Sequence, residues 1–259
     1  MKLLIKLGGT LLETAESRRL LAGEIAMAVN GGHRVVVVHG GGKQMTQFLA
    51  ERGVESRFIN GLRVTTPDVL DAVLKVFAGS VNHQLVASLV AAGTQAVGLS
   101  GIDACLTEAE PWSEELGAVG RPVRANAGLI DLLTSNGYLP VVACVAGDRA
   151  GNIYNVNADQ MAAACAAGFA ADRLLFLTDV AGVMGSANRI LPALTRAESE
   201  SLIASGIATG GMQAKLEAAH RALDGGVPEV VIVPGGESNV IARVLGMPEG
   251  AAIGTRILH

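Results

Sequence analysis

Three charged residues in distinctive settings are the best candidates for chemistry: Lys6 in IKLGG, Asp159 in NVNADQM, and Lys215 in TGGMQAKLEAA. A further glycine cluster, HGGGK at 39–43, follows directly on the β-branched run VVVV. A Gly-rich turn between a strand and a helix lets the backbone come close to a ligand and aims free N–H groups beyond the strand end. An anion suits such a turn. Neither standard phosphate fingerprint is present: there is no G-x-x-x-x-G-K-[ST], and HGGGKQM does not give G-x-G-x-x-G. Positive charge must then reach a phosphate from outside a Walker loop, and Lys6 and Lys215 could supply it.

Each of these residues also has a plainer reading. Lys6 lies inside an apolar strand pattern. It is either an edge-strand lysine reaching for solvent or a buried ammonium aimed at a partner, because an unpaired buried charge is expensive. Lys215 is either a surface helix lysine or a ligand placed by the Gly210-Gly211 turn before it. Asn155 and Asn157, two apart, share one face of an extended segment, although Asn and Asp also favour helix caps. Arg63, in NGLRVT, has a planar fork that suits a substrate carboxylate and equally suits a surface ion pair.

The elements that must position these residues alternate between strand and helix. Strands are expected at 2–7, 35–39, 95–99, 139–145, 173–178 and 229–233, and helices at 16–30, 43–52, 158–168 and 210–223. A further helix opens at Thr66-Pro67, where Thr caps and Pro fills the first turn. Val69, Leu70, Val73, Leu74 and Phe77 keep its 3.6 period. The apolar β-branched runs read as strands buried on both faces, the habit of parallel sheets. Residues 107–128 read as an irregular excursion or small hairpin. No linker or repeat divides the chain, so halves meeting near Gly147 should share one continuous sheet, with the Gly-rich turns along one edge.

Composition narrows the function classes. The chain has 259 residues, 50% of them hydrophobic, which is ample for a large α/β core. A formal charge of −4 offers no broad basic field for nucleic acid or an anionic membrane. Cys105, Cys144 and Cys165 form neither a C-x-x-C pair nor a disulfide framework, which fits a reducing cytoplasm. No apolar run is expected to reach membrane-spanning length, and no metal-ligand cluster is expected.

Taken together and in order, IKLGGTLL, VVVVHGGG, NGLRVT, NGYLPVV, NVNADQ, LTDVAGV, GGMQAK and GTRI resemble the amino-acid kinase family from residue 2 to the C-terminus. Within it, the motifs are most similar to those of the members that phosphorylate N-acetyl-L-glutamate in arginine biosynthesis. The resemblance implies a three-layer αβα sandwich around a mainly parallel central sheet. It implies a lobe at 1–147 that binds the acyl acceptor and dimerises, and a lobe at 148–259 that binds ATP. ATP would come with Mg²⁺ bound through its phosphates, and the enzyme would be a homodimer. Carried over position by position, Lys6 and Lys215 would flank the moving phosphoryl group, with Asp159 holding both. Gly8, Gly9, Gly41 and Gly42 would present N–H groups to phosphoryl and acceptor, while Arg63 and Asn155 would hold the acceptor's α-carboxylate. Asp179, Gly182, Ile207, Thr209 and Gly211 would contact the nucleotide.

His83, Ile102, Ala104 and the VPGGESN turn near 234–239 depart from the family pattern. The chain starts directly at its first strand, which leads to the expectation of a dimer insensitive to arginine. Two other readings stay open: a kinase of the same fold acting on a carrier-linked aminoadipate or glutamate, and a catalytically silent amino-acid-binding relative. Lys6, Asp159 and Lys215, all intact, weigh against the second.

Overall fold

In the computed structural model, which describes residues 1–186, 189–246 and 253–259, the apolar run around Lys6 forms β1 (Lys2–Leu7) and leads into a 3-10 turn at Gly9–Leu12. Then come α1 (Ala15–Asn30), β2 (Arg34–His39), α2 (Gly42–Ala50) and a hairpin of β3 (Phe58–Ile59) and β4 (Leu62–Arg63). Next, α3 (Pro67–Val73) runs through a π-helical stretch, Leu74–Val81, into α4 (Asn82–Ala91). The middle of the chain holds β5 (Gln95–Ser100), β6 (Thr107–Pro111), β7 (Val119–Ala125), α5 (Ala127–Ser135), β8 (Tyr138–Ala143), β9 (Val145–Gly147) and β10 (Ile153–Val156). The remainder is α6 (Ala158–Phe169), β11 (Arg173–Thr178), β12 (Ala193–Thr195), α7 (Arg196–Ala204), α8 (Gly210–Asp224), β13 (Val230–Pro234), α9 (Val240–Gly246) and β14 (Thr255–Leu258).

Helix starts follow side-chain chemistry. Thr14, Thr66 and Asn157 each accept a backbone N–H of the helix they precede, and Thr195 with Glu198 closes a capping box on α7.

The main sheet has eight strands in the order β12-β14-β13-β11-β1-β2-β8-β5. All neighbours are parallel except β13 and β14. Helices α1, α4 and α9 pack together on one side, and α5, α6 and α8 on the other. The strands β1, β2, β11 and β13 are apolar along nearly their whole length because both faces are covered: Leu4, Val36, Leu175 and Val230 are all fully buried. β1 lies in the interior of the sheet, flanked by β2 and β11. The edge-strand reading of Lys6 therefore falls.

Two expectations need refining. Of the two readings of 107–128 the small hairpin holds and the irregular excursion falls: β6 and β7 pair antiparallel, and with β9 and β10 they close a small four-stranded barrel that neither reading included. The strand expected at 139–145 is accordingly split, its last residue belonging to β9 in the barrel. The barrel was hidden because its closing pairs, Asn155 with Val119 and Glu108 with Gly147, join segments far apart in the chain. Second, Pro67–Ala91 is one continuous helix of 25 residues, long and apolar enough to cross a membrane by length and composition alone. Its apolar side is explained by burial. Val69, Val73, Val76, Phe77, Leu85 and Leu89 are buried, while Asp68, Asp71, Lys75, His83 and Gln84 are exposed.

Candidate active site

Strand register brings the glycine turns together. Lys6 on β1 is level with Val38 on β2 and Phe176 on β11. Gly8-Gly9, Gly40-Gly41-Gly42 and Asp179 therefore leave the sheet side by side at the carboxyl ends of parallel strands, where α/β sheets place their ligands. A Cβ on Gly9 would stand 3.2 Å from the Gly42 nitrogen, so the two turns touch.

Across this edge lies Asp159, the second residue of α6, held where that helix begins by its Asn157 cap. Its Oδ1 is 2.6 Å from Lys6 Nζ and its Oδ2 is 3.4 Å from Lys215 Nζ. Lys6 and Asp159 are each only 6% exposed. Burial alone would push the Asp159 carboxyl up, but the Lys6 and Lys215 ammonium groups outweigh it and hold the carboxyl below the usual carboxylate range. One anionic oxygen thus faces each lysine. Sequence separation gives no hint of this: Lys6 comes from β1, Asp159 from α6 and Lys215 from the second turn of α8.

The Leu11 N–H closes the Gly9–Leu12 turn on the Gly8 carbonyl and the Met45 N–H closes α2 on the Gly41 carbonyl, which leaves the N–H groups of Gly9, Thr10, Gly42 and Lys43 without a partner inside their helices. Gly8 differs from expectation: its N–H donates to the Leu177 carbonyl at 2.9 Å and extends the β1–β11 ladder by one residue. It serves there as backbone, not as a free donor.

Arg63 is buried at the end of β4 and donates to Ser56 Oγ, to Thr46 Oγ1 at 2.8 Å and to the Gly42 carbonyl at 3.2 Å. It is therefore no surface ion pair. Asn155 donates to Thr65 Oγ1 at 3.0 Å, and Thr65 in turn donates to the Arg63 carbonyl at 2.8 Å, so the two expected carboxylate ligands are coupled through one threonine. A cavity of about 540 Å³ opens beside Asp159. It lies between the β3–β4 turn, the Trp112–Leu116 segment and the starts of α6 and α8, and Gly211 lines it.

The residues expected around a nucleotide are more dispersed. Asp179 is exposed just past β11 and accepts from Thr178 Oγ1 at 3.1 Å. Gly182 is buried at φ 151°, where a Cβ would meet Thr255 Oγ1 at 2.8 Å, so it shapes the turn through packing. Ile207 is 43% exposed, and Thr209 precedes α8 without making a side-chain cap. Of the departures from the family pattern, His83 and Ile102 are exposed, and Ala104 adopts φ 50°. The 234–239 turn borders Asp179, since Gly235 N–H donates to the Thr178 carbonyl at 2.8 Å. Sequence reasoning missed Trp112, Thr46, Ser56 and Thr65. A hydroxyl in a loop carries no signal until its partner is known, but a lone tryptophan in a chain with 3% aromatics was a visible one.

Known proteins resemble this chain over its whole length. The model of the amino acid kinase family matches residues 1–234. A protein of Solibacter usitatus (strain Ellin6076), named acetylglutamate kinase, is 64% identical over 258 residues, covering 100% of this chain and 99% of its own. Another of that name from Koribacter versatilis (strain Ellin345) is 42% identical over 260 residues, again covering 100% and 99%. Among solved structures, carbamate kinase from Giardia lamblia bound to AMP-PNP has a TM-score of 0.73 at 19% identity, covering 99% of this chain and 98% of that one. N-acetylglutamate synthase from Neisseria gonorrhoeae, complexed with coenzyme A and N-acetyl-glutamate, reaches 0.88 at 24% identity, covering 100% of this chain and 59% of that one. At such identities these two speak to the fold alone.

Proposed function

The chain belongs to the amino acid kinase family, and from that premise we propose that it transfers the γ-phosphoryl group of ATP to the side-chain carboxylate of N-acetyl-L-glutamate. The product is an acyl phosphate of arginine biosynthesis. The observation that carries the reading is the buried Lys6–Asp159–Lys215 bridge at the carboxyl edge of the sheet.

In the reaction, a carboxylate oxygen of the acceptor forms a bond to the γ-phosphorus while the bond from that phosphorus to the β,γ-bridging oxygen breaks, and ADP departs. No proton moves, because a carboxylate is already an anionic nucleophile at neutral pH. Catalysis reduces to aligning two anions and neutralising their repulsion. Lys6 and Lys215 supply charge from opposite sides, and Asp159 keeps the two ammonium groups from separating. Gly9, Gly41 and Gly42 offer N–H groups to phosphoryl and acceptor oxygens, and the Gly8 backbone holds that turn to β11. Arg63 and Asn155 take the acceptor's α-carboxylate, leaving its side-chain carboxylate toward ATP. The nucleotide lies against Asp179, Ile207, Thr209 and Gly211, with Gly182 shaping the turn.

The donor set is cationic and rich in N–H groups, which fits phosphate oxygens and not a bare cation. Mg²⁺ would accordingly be held through the nucleotide phosphates, where it supplies further neutralisation. In this reading residues 1–147 bind the acceptor and residues 148–259 the nucleotide. Unpaired Cys105, Cys144 and Cys165 suit a cytoplasmic enzyme. A homodimer through the open edge at β5, beside exposed Val90 on α4, completes it. Light scattering should return twice the protomer mass.

Acyl phosphate trapped as the hydroxamate tests the reaction, with Mg-ATP and N-acetylglutamate, glutamate, N-acetylaspartate or aminoadipate as acceptor. Turnover is expected with N-acetylglutamate. Silence with every free acid while Mg-ATP still binds would overturn the assignment.

A further inference from the structure

Behind the glycine turn lies a buried polar pair to which the reaction above gives no role. His39, the last residue of β2, is fully buried, and Asn82, the first residue of α4, is 2% exposed. Asn82 Nδ2 lies 3.0 Å from His39 Nε2 and 2.9 Å from the Val141 carbonyl, while His39 Nδ1 lies 2.8 Å from the Gly40 carbonyl.

These contacts admit one arrangement of protons. Turning the Asn82 amide over would set its oxygen against the Val141 carbonyl, acceptor on acceptor, so the amide faces as described and donates both its hydrogens. His39 Nε2 is then an acceptor, the ring proton sits on Nδ1, and Nδ1–H donates to Gly40. Burial favours this neutral ring and pushes its pKa down to about 4.

The consequence for the turn follows from peptide geometry. In a trans peptide the C=O and the next N–H point in opposite directions, and no cis bond occurs among the described residues. Pinning the Gly40 oxygen inward on His39 therefore turns the Gly41 N–H outward, past the end of β2. Sterics reinforce the setting. A Cβ on Gly41 would stand 3.0 Å from the Phe77 ring and 3.2 Å from Val81, both in the π-helical stretch that delivers Asn82. Gly98 leaves the space Asn82 occupies, since a Cβ there would collide with Asn82 Oδ1. On its far side Gly40 abuts Ala158, the neighbour of Asp159, with 3.3 Å between a Cβ built on Gly40 and that of Ala158.

We propose that His39 is a positioning residue: oriented by Asn82, its Nδ1–H fixes the Gly40–Gly41 peptide so that the Gly41 N–H meets the phosphoryl group in transfer. This rests on the phosphotransferase reading above.

The test compares wild type with His39→Asn and His39→Gln in the hydroxamate assay, alongside their melting temperatures. The asparagine amide can take the place of Nδ1, whereas the glutamine amide reaches toward Nε2. His39→Gln should lower kcat by about 10- to 100-fold, with KM for either substrate changing by less than about 3-fold, and His39→Asn should recover at least about 3-fold of that loss. Unchanged kcat in His39→Gln, or equal losses in both variants that track their melting, would overturn the proposal. A second measurement needs no variant: long-range ¹H–¹⁵N correlation of the wild-type imidazoles should report His39 as the neutral Nδ1–H tautomer. An Nε2–H tautomer would overturn it. Wild type that forms no hydroxamate at all would refute the reaction instead, and the tautomer experiment would still judge the geometry.

Discussion

Replacing Asp159 with asparagine removes one charge and almost no volume from the centre of the site. Two ammonium groups then lose their shared counter-charge, Lys6 from 2.6 Å and Lys215 from 3.4 Å. Lys6 has little water to turn to, since its side chain is 8% exposed; Lys215, at 15%, is somewhat better screened. Neutralising one partner of a buried pair typically costs about 3–5 kcal/mol, because the other charge stays buried and unpaired. In a chain of this size each kcal/mol lowers the melting temperature by about 2–4 °C. A fall of roughly 6–20 °C is expected in scanning calorimetry. Turnover should fall by about 10² to 10³, as for loss of one preorganised group, because the lysines are no longer held on either side of the phosphoryl group. Mg-ATP should raise the melting temperature of the variant more than that of wild type, since phosphate restores the missing negative charge. The pH dependence has a definite sign. The folded carboxyl titrates below its usual range, so its contribution is complete above the unfolded value of about 3.9 and is lost only as pH falls from there through the folded pKa. The gap between wild type and variant should thus stay constant at neutral pH and narrow below about pH 3.9. A variant with near-normal turnover and melting would refute the bridge as the centre of the site.

Other expectations follow from the same geometry. Lys6→Ala and Lys215→Ala should each lose at least about 10²-fold in kcat while keeping a native circular dichroism spectrum; near-normal turnover in either removes that lysine from the mechanism. Arg63→Lys keeps the charge but loses the fork that now spans Ser56, Thr46 and Gly42. The acceptor KM should rise by about 10-fold or more, with a smaller effect on the KM for ATP, as initial-rate kinetics would show. For His39, burial lowers the ring pKa from 6.5 to about 4. The unfolded chain therefore takes up that proton first as pH falls, and stability should decline between those two values. The loss is on the order of 3 kcal/mol, and a His39→Asn denaturation series should lack that slope. Parallel pH profiles for both proteins would contradict it.

Much of the frame is legible in the sequence because its signals are local. The run VVVV states its own burial on two faces, Thr66-Pro67 states a helix start, and each glycine pair marks a turn at a strand end. Strand Arg173–Thr178 and the helices at 158–168 and 210–223 were readable for the same reason, to within a residue. The small barrel was not legible, because β9 and β10 are only three and four residues long and the barrel closes only when they pair with β6 and β7. Nor was the fate of the Gly8 N–H, which depends on a carbonyl 169 residues further along, at Leu177.

Residue type and spacing thus determined which groups can do chemistry here: lysines beside glycine turns, an aspartate at a helix start, an arginine before a capped helix. Whether they act together was decided only by tertiary structure. Lys6, Asp159 and Lys215 lie on three elements, and only the parallel register of β1 with β2 and β11, together with the seating of α6 and α8 over one sheet face, closes them to 2.6 and 3.4 Å. The physical reason is range. Propensity and capping act over a few residues, whereas a buried charge finds its counter-charge through packing that the whole chain must complete.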